Sequence, residues 1–509
     1  MMNIHVRVFL VSVLLVLTFV SVGCGSGGST TPAPVSAVIA TGNPLVAQYN
    51  LSHWDSGLSA WVEFGTDTNY GRQTSVATSS STGLSIQQLS VLVAGMKPKT
   101  TYHMRAHASW PGGAWVDQDQ TFTTGDIPNS IVVPQFKTST TPSAGSPAPG
   151  VELISLVNNS TTTALNAVAT DLQGNVIWYC PGPAIPVKAL PNGHFILVQG
   201  SAIAEVDLAC NTIRSVSATQ VYQSLQAQGQ VIPQIDNFHH DVLVLPNGHW
   251  IALANITESL SGLQCSQGAT SVQGDIVIDI DPNGNAVWFW SAFDHLDPCR
   301  ALFGLPDWTH SNALVYTADG NLLLSMRNQS WILKLDYSNG SGTGNIIWRL
   351  GESGDFAITG NDPSQWFYAQ HYPNVLNVNG SQTTLAVYDD GDLRIGSNGQ
   401  PCEPPVPPVT NCYTRATIFQ IDESTNTATL QWQYSPGFFS FWGGSVGTLS
   451  NGDVEFDSSA AFGFSQASLI EEVTQTGSPQ PVWQMTITGS NAYRGIRMPS
   501  LYPGVAWKQ

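Results

Sequence analysis

Three histidine positions stand nine or ten residues ahead of a glycine turn in successive copies of one pattern: the His239-His240 pair before Gly248, His310 before Gly320 and His371 before Gly380. Neutral imidazole is both a nucleophile and a proton carrier near neutral pH. Histidines gathered into one pocket could therefore attack an electrophilic centre and handle the protons of the groups that leave and enter. Two more residues in the same stretch suit an anionic substrate. Asn312 follows His310 by two positions, and Arg327 ends the next strand. A guanidinium fork stays charged and can hold two oxygens of one group at once.

Residues so far apart in sequence need a repeating scaffold to bring them together. Each copy reads as an apolar strand, a turn such as Leu190-Pro191-Asn192-Gly193, Leu245-Pro246-Asn247-Gly248 or Ser450-Asn451-Gly452, and a second apolar strand. Asn-Gly turns favour tight hairpins. Further on, the copies close with strands that end in Trp178, Trp288, Trp348, Trp432 and Trp483. Four strands per repeat at this spacing describe the blades of a β-propeller. Its innermost strands surround a central channel, so residues entering equivalent inner strands meet at one mouth. The blades are expected at about 150–181, 182–217, 238–291, 308–352, 367–434 and 441–503, six in all. A terminal strand around Tyr493-Arg494-Gly495-Ile496-Arg497 should pair with Val151-Glu152-Leu153-Ile154 and close the ring.

A smaller β-sandwich is expected at 36–126, from alternating strands such as Trp61–Thr66, Val91–Gly95 and Thr101–Ala106. It resembles a fibronectin type III module, carried by Gly95-Met96-Lys97-Pro98-Lys99-Thr100-Thr101-Tyr102. A Ser/Thr/Pro-rich stretch at 127–149 reads as a linker to the propeller at 150–509. The fold class is therefore all-β.

Composition places the chain outside the cell interior. Arg7 precedes an apolar run from Val8 to Val22 and the triplet Gly23-Cys24-Gly25, which reads as a signal peptide over 1–24 with a lipobox-like end. Either Cys24 becomes a lipidated first residue or the leader is simply cleaved, and a flexible linker at 25–35 follows. The expected location is the bacterial cell envelope, the membrane being met only through that anchor. Six further cysteines, an even set, suit an oxidising compartment. Cys402 with Cys412 is the pairing expected first, closing a Pro-rich loop, and Cys265 with Cys299 the next. The formal charge of −18 argues against nucleic acid as a general partner.

The chemistry concentrates in the third to fifth blades. Asp307-Trp308-Thr309-His310-Ser311-Asn312 opens the inner strand of the fourth blade, and Ser325-Met326-Arg327-Asn328-Gln329-Ser330 ends the strand beside it. Phe238-His239-His240-Asp241 and Ala369-Gln370-His371-Tyr372 are the corresponding entries of the third and fifth. Val387-Tyr388-Asp389-Asp390-Gly391-Asp392 reaches the same opening. In this order, with Tyr413-x-Arg415-Ala416, the motifs resemble the bacterial arylsulfate sulfotransferases over about 240 to 420.

The resemblance implies that His371 is the nucleophile, forming a sulfohistidine, with His310, Asn312 and Arg327 around the transferred group. It also implies substrate contacts from Trp308, Tyr388, Tyr413 and Arg415. In the third blade the matching histidine is His239 by its distance to the turn, or His240 by its place beside Asp241. The donor would be a phenolic sulfate and the acceptor a phenol, with no nucleotide, other cofactor or metal. Such chemistry needs an uncharged nucleophile and cations at the sulfuryl oxygens, with positioning and charge stabilisation supplying most of the acceleration.

Blander readings compete. Propeller histidines and aspartates often only brace loops, and His194, His249 and His295 are read that way. The alternatives to a transferase are a non-catalytic cell-surface propeller that binds an anionic or aromatic ligand, and an aryl sulfate hydrolase.

Overall fold

The computed structural model describes residues 33–507 apart from 55–56, 80–85, 158–164, 267, 361–365, 404–410 and 462–466. The leader and Cys24 lie outside the described residues. Strand makes up 50% and helix 4%, so the fold is all-β.

Two sheets come first. Val35–Ala40, Ala47–His53 and Gln87–Val93 form one, while Ser59–Gly65 and Thr101–Trp110 carry four short strands in the other. Along Ala47–His53 every second residue is buried, the period that a half-buried strand requires. The buried residues of both sheets, among them Tyr49, Leu51, Val62, Phe64, Val91 and Met104, form a common core.

Six further sheets of four or five strands follow. Their first strands are Val187–Ala189, Ile235–Val244, Ser311–Tyr316, His371–Asn379, Gly444–Thr448 and, from the end of the chain, Asn491–Met498. From Ile235–Val244 onward these strands contact one another in that order, and Gly444–Thr448 meets Asn491–Met498; Val187–Ala189 contacts Val151–Val157, and its neighbour Phe195–Val198 contacts Ile235–Val244. We read the closed series as the blades of a propeller. The turn glycines Gly193, Gly248, Gly320, Gly380 and Gly452 all have positive φ, the backbone that Asn-Gly and related turns supply. The strand-ending tryptophans act between sheets. Trp178 Nε1 donates to Leu208 O at 2.8 Å, Trp288 Nε1 to Gly342 O at 3.1 Å and Trp483 Nε1 to Leu172 O at 2.9 Å. Each bond reaches from one sheet to a turn of its neighbour.

Two features depart from the expected layout. The stretch 127–149, expected as a linker, contributes the strand Gln135–Thr140, which pairs with Pro481–Thr488 as the outer strand of the last sheet. Between the second and third sheets lies a helix, Ala218–Ala227, capped by Ser217 and burying Val221 and Leu225. Among the described residues three disulfides are present: Cys402–Cys412 and Cys265–Cys299, both expected, and Cys180–Cys210. No described helix is long and apolar enough to cross a membrane.

The ring closes where Asn491–Met498 pairs with Val151–Val157, Leu153 opposite Ile496 and Ile154 opposite Gly495. An ion cluster locks the joint. Arg497 meets Glu152 from the first sheet and, at 3.2 and 3.0 Å, Glu455 and Glu472 from the last. All four side chains are buried. The C-terminal tail then docks on the N-terminal sandwich: Tyr502 OH accepts from Ala94 N at 2.7 Å, and Trp507 Nε1 donates to Gln73 O at 2.8 Å. Removing one member of a buried ion cluster leaves the others uncompensated, at about 3–5 kcal/mol. Arg497→Met should therefore lower stability by about that amount in urea unfolding, and a change within about half a kcal/mol, as for an ordinary surface substitution, would show that Arg497 does not hold the joint.

Candidate active site

The inner strands lose regularity where they reach the histidines. The register of Ile235–Val244 against its neighbour slips between Phe238 and Val242, that of Ser311–Tyr316 between Ser311 and Ala313, and that of His371–Asn379 between His371 and Asn374. Bulges of this kind re-aim side chains and cluster at functional sites. His240, His310, Ala369 and Tyr372 also have left-handed backbones, with φ from 47° to 54°, a conformation uncommon outside glycine. The result is a cavity of about 460 Å³ whose walls include His239, His240, His310, His371, Trp442 and Tyr493.

His371 is held from both ring nitrogens. Nδ1 lies 2.7 Å from Asp390 Oδ2, and Nε2 accepts from Gly443 N at 3.3 Å. Because the backbone N–H can only donate, Nε2 carries a lone pair and Nδ1 the proton shared with Asp390. Burial, and after it the charges of Arg327, His310 and Arg494, push the imidazole well below its ordinary value of 6.5. A neutral ring with an unprotonated Nε2 is the nucleophilic form. The close approach of Gly443 depends on glycine, since a Cβ there would lie 2.2 Å from Ser459 Oγ.

The other histidines surround it. His310 Nδ1 bonds to Asp307 Oδ2, which orients its ring. His240 packs edge-on against His310, with centroids 4.8 Å apart, and its Nδ1 lies 2.8 Å from that of His239. His239 Nε2 lies 3.2 Å from Asp275. Both members of the pair therefore line the cavity. His240 stands nearer His310, and burial followed by the neighbouring histidines keeps it well below the ordinary imidazole value.

The remaining expected residues divide. Arg327 acts on His371 electrostatically but does not line the cavity, and its fork is occupied: Nη2 donates to Asp392 Oδ2 at 2.6 Å and to Phe441 O at 2.9 Å, and Nη1 to Asn328 Oδ1 at 2.8 Å. Burial, offset in part by Arg327, pushes Asp392 up to about 7. Asn312 is also outside the cavity, its Nδ2 donating to Gln370 O at 2.7 Å and so bracing the peptide ahead of His371. None of the four residues expected to contact substrate lines the cavity. Trp308 packs in the core against Phe293, 5.4 Å between ring centres. Tyr388 bonds to Ser458 Oγ at 2.8 Å. Arg415, fully buried, pairs with Asp389 at 2.7 Å and donates to Trp366 O, while Tyr413 lies under Arg394 at 4.4 Å. These residues are spent on packing and internal ion pairs, which a motif in sequence cannot distinguish from ligand contacts.

Four residues gain roles that the sequence did not suggest. Asp390 stands in a quoted segment without a partner assigned, and is the one that orients His371. Gly443 meets Nε2. Tyr493 and Arg494, legible only as part of the closing strand, stand near His371: the Tyr493 ring lies 6.0 Å from that of His371, and Arg494 lies over Tyr372 at 4.2 Å. Because the depressed value keeps the folded ring neutral below the pH at which a free imidazole protonates, ring-carbon NMR titration should find His371 and His240 still neutral at about pH 6. Midpoints at or above 6.5 would contradict the burial described.

A curated protein matching the chain was not found. Among solved structures, a member of the DUF4221 family from Bacteroides vulgatus is 7% identical, covering 72% of this chain and 98% of its own, with a TM-score of 0.34. A DUF4784 family protein from Bacteroides caccae is 9% identical, covering 86% and 80%, with a TM-score of 0.21. Neither likeness bears on the assignment. A model of the arylsulfotransferase (ASST) family, by contrast, matches residues 140–494, a span that reaches into all six sheets and takes in every residue of the histidine cavity; the chain belongs to the arylsulfotransferase family.

Proposed function

We propose that the protein moves a sulfuryl group from a phenolic sulfate ester to a second phenol through a sulfohistidine on His371, with no nucleotide donor. The observation that carries this reading is the His371 ring on the cavity wall, neutral, with Nδ1 hydrogen-bonded to Asp390 and an unprotonated Nε2 that accepts from Gly443 N and must leave that donor to attack. In the first step Nε2 bonds to sulfur while the bond from sulfur to the aryl oxygen breaks, and the departing phenolate takes a proton. His310, oriented by Asp307, is the acid. In the second step His310 takes the proton of the acceptor phenol, whose oxygen bonds to sulfur as the bond to Nε2 breaks. Donor and acceptor thus use one cavity in turn.

Arg327 is the cation nearest this chemistry among the residues expected from sequence. For its fork to grip sulfuryl oxygens it must release Asp392, a carboxylate that burial already disfavours as an anion. The fibronectin-like module serves for docking or support. Three disulfides suit an oxidising compartment, and lipid attachment at Cys24 would hold the enzyme to the envelope. A hydrolase would use the same first step, with water replacing the phenol in the second.

Incubation with an aryl sulfate and no acceptor should release one equivalent of phenol and leave one SO3 group on His371, which added phenol then discharges. His371→Asn should abolish both steps. Arg327→Lys should retain the fold and slow labelling by about 10²-fold or more, because an ammonium cannot reproduce the bidentate grip. Full turnover in a folded His371→Asn protein would end the covalent reading, and discharge at equal rates with and without phenol would favour the hydrolase.

A further inference from the structure

The closing strand carries a bulge directly behind the nucleophile. Ser155 pairs with Arg494 and Leu156 with Ala492, so Tyr493 is left without a partner across the ladder. A bulge lets consecutive side chains serve one side of a sheet, and here Tyr493 OH and Arg494 Nη2 both donate to the carbonyl of Asn312, at 3.3 and 3.2 Å. Asn312 in turn donates to the carbonyl of Gln370 at 2.7 Å. A continuous path of hydrogen bonds therefore runs from the last strand of the chain to the peptide that enters His371.

Arg494 is buried, with 1% exposure, and it shares its counter-charge with a second cation. Its nearest carboxylate oxygen, Asp241 Oδ1, is 3.5 Å away and is shared with Lys188. Two cations thus face one carboxylate. Asp241 is also engaged by Leu314 N and Val242 N. Nε and Nη1 of Arg494 have no hydrogen-bond acceptor. Leaving buried donors of a cation unpaired is costly, so their retention here calls for a function.

We propose that Arg494 is a positioning residue for the nucleophile, fixing the His371 ring through Asn312 and Gln370 and supplying a fixed positive charge beneath it. Its effect on the ring is electrostatic as well as geometric. The groups that face His371 are Asp390 from the loop after Gln382–Asp389, His240 from the third sheet, His310 and Arg327 from the fourth, and Tyr493 and Arg494 from the closing strand. Near Arg494 itself stand Asp241, Lys188, Tyr372 and Tyr493, together with Asp457, whose carboxyl is pushed well up by burial and then by Glu152. A like charge near an imidazole disfavours its protonated form. Arg494 therefore holds the ring in the form that attacks, and its charge adds to the field that draws a sulfate monoester into the cavity.

The catalytic consequence rests on His371 being the nucleophile, but the effect on the ring does not. The test is accordingly read first by ring-carbon NMR of His371 in the full chain, with the signal assigned by its loss in His371→Asn. Arg494→Met should raise the His371 titration midpoint by about one pH unit or more. Arg494→Gln, which keeps a donor for Asn312 but not the charge, should raise it similarly and decides the matter if the Met variant does not fold. Arg494→Lys should leave the midpoint nearly unchanged. In the labelling reaction Arg494→Gln should lose more rate relative to wild type below the His371 midpoint than above it, approaching tenfold per pH unit by which the midpoint has risen. A midpoint unmoved in both charge-removing variants would overturn the proposal. Moved midpoints with no SO3 on wild-type His371 would instead sustain the electrostatic role and refute the transferase reading.

Discussion

The joint between the last strand and the first carries the rest of the architecture. A ring of sheets left open would expose two unpaired strand edges, and its inner strands would have no fixed neighbours around the channel. Here the edge of Val151–Val157 is covered by Asn491–Met498 over seven residue pairs, although more than three hundred residues separate them. The entropy of closing so long a loop grows only slowly with length, and apolar burial between sheets offsets it. Arg497 adds specificity. Its pairing with carboxylates from both adjoining sheets is satisfied in one register alone, because a shift by one residue would turn it to the other face.

The same closing strand reaches into the histidine cavity. Tyr493 forms part of the cavity wall and Arg494 donates to Asn312, so the surroundings of His371 are complete only when the ring is closed. The cavity itself is built from irregularities. Left-handed residues and register shifts at His240, His310 and around His371 each cost on the order of 1–3 kcal/mol. They persist because their surroundings over-determine them. Gln370, for instance, donates to Ser325 Oγ, Met326 O and Trp331 O, which leaves the following histidine little freedom.

Charge is distributed unevenly for a chain with a formal net charge of −18. Arg327 and Arg494 both act electrostatically on His371, while burial pushes up the carboxyls of Asp390, which meets its Nδ1, and of Asp392. An anionic substrate entering such a pocket meets a positive field inside an acidic surface. Fixed charges in a site of low dielectric act strongly and need no reorganisation during the reaction.

The sequence by itself determined the repeating hairpins, the closing strand and the gathering of the histidines, because each follows from short-range rules. Asn-Gly turns, a two-residue strand period and equal spacing to a turn are local properties, and equivalent places in a repeat become equivalent places around an axis. The Cys402–Cys412 pairing was legible for the same reason. Only the tertiary structure decided which polar residues face the cavity and which are consumed elsewhere. Trp308, Tyr388, Tyr413 and Arg415 stand in the motifs yet serve packing and ion pairs, and the fork of Arg327 is engaged by Asp392 and Phe441. Asp390, Gly443 and Arg494 meet His371 or its neighbours from strands and loops 19, 72 and about 120 residues away. Whether a buried donor spends its hydrogen bonds on a substrate or on its own chain depends on distances between separate sheets, and those exist only once the ring has closed.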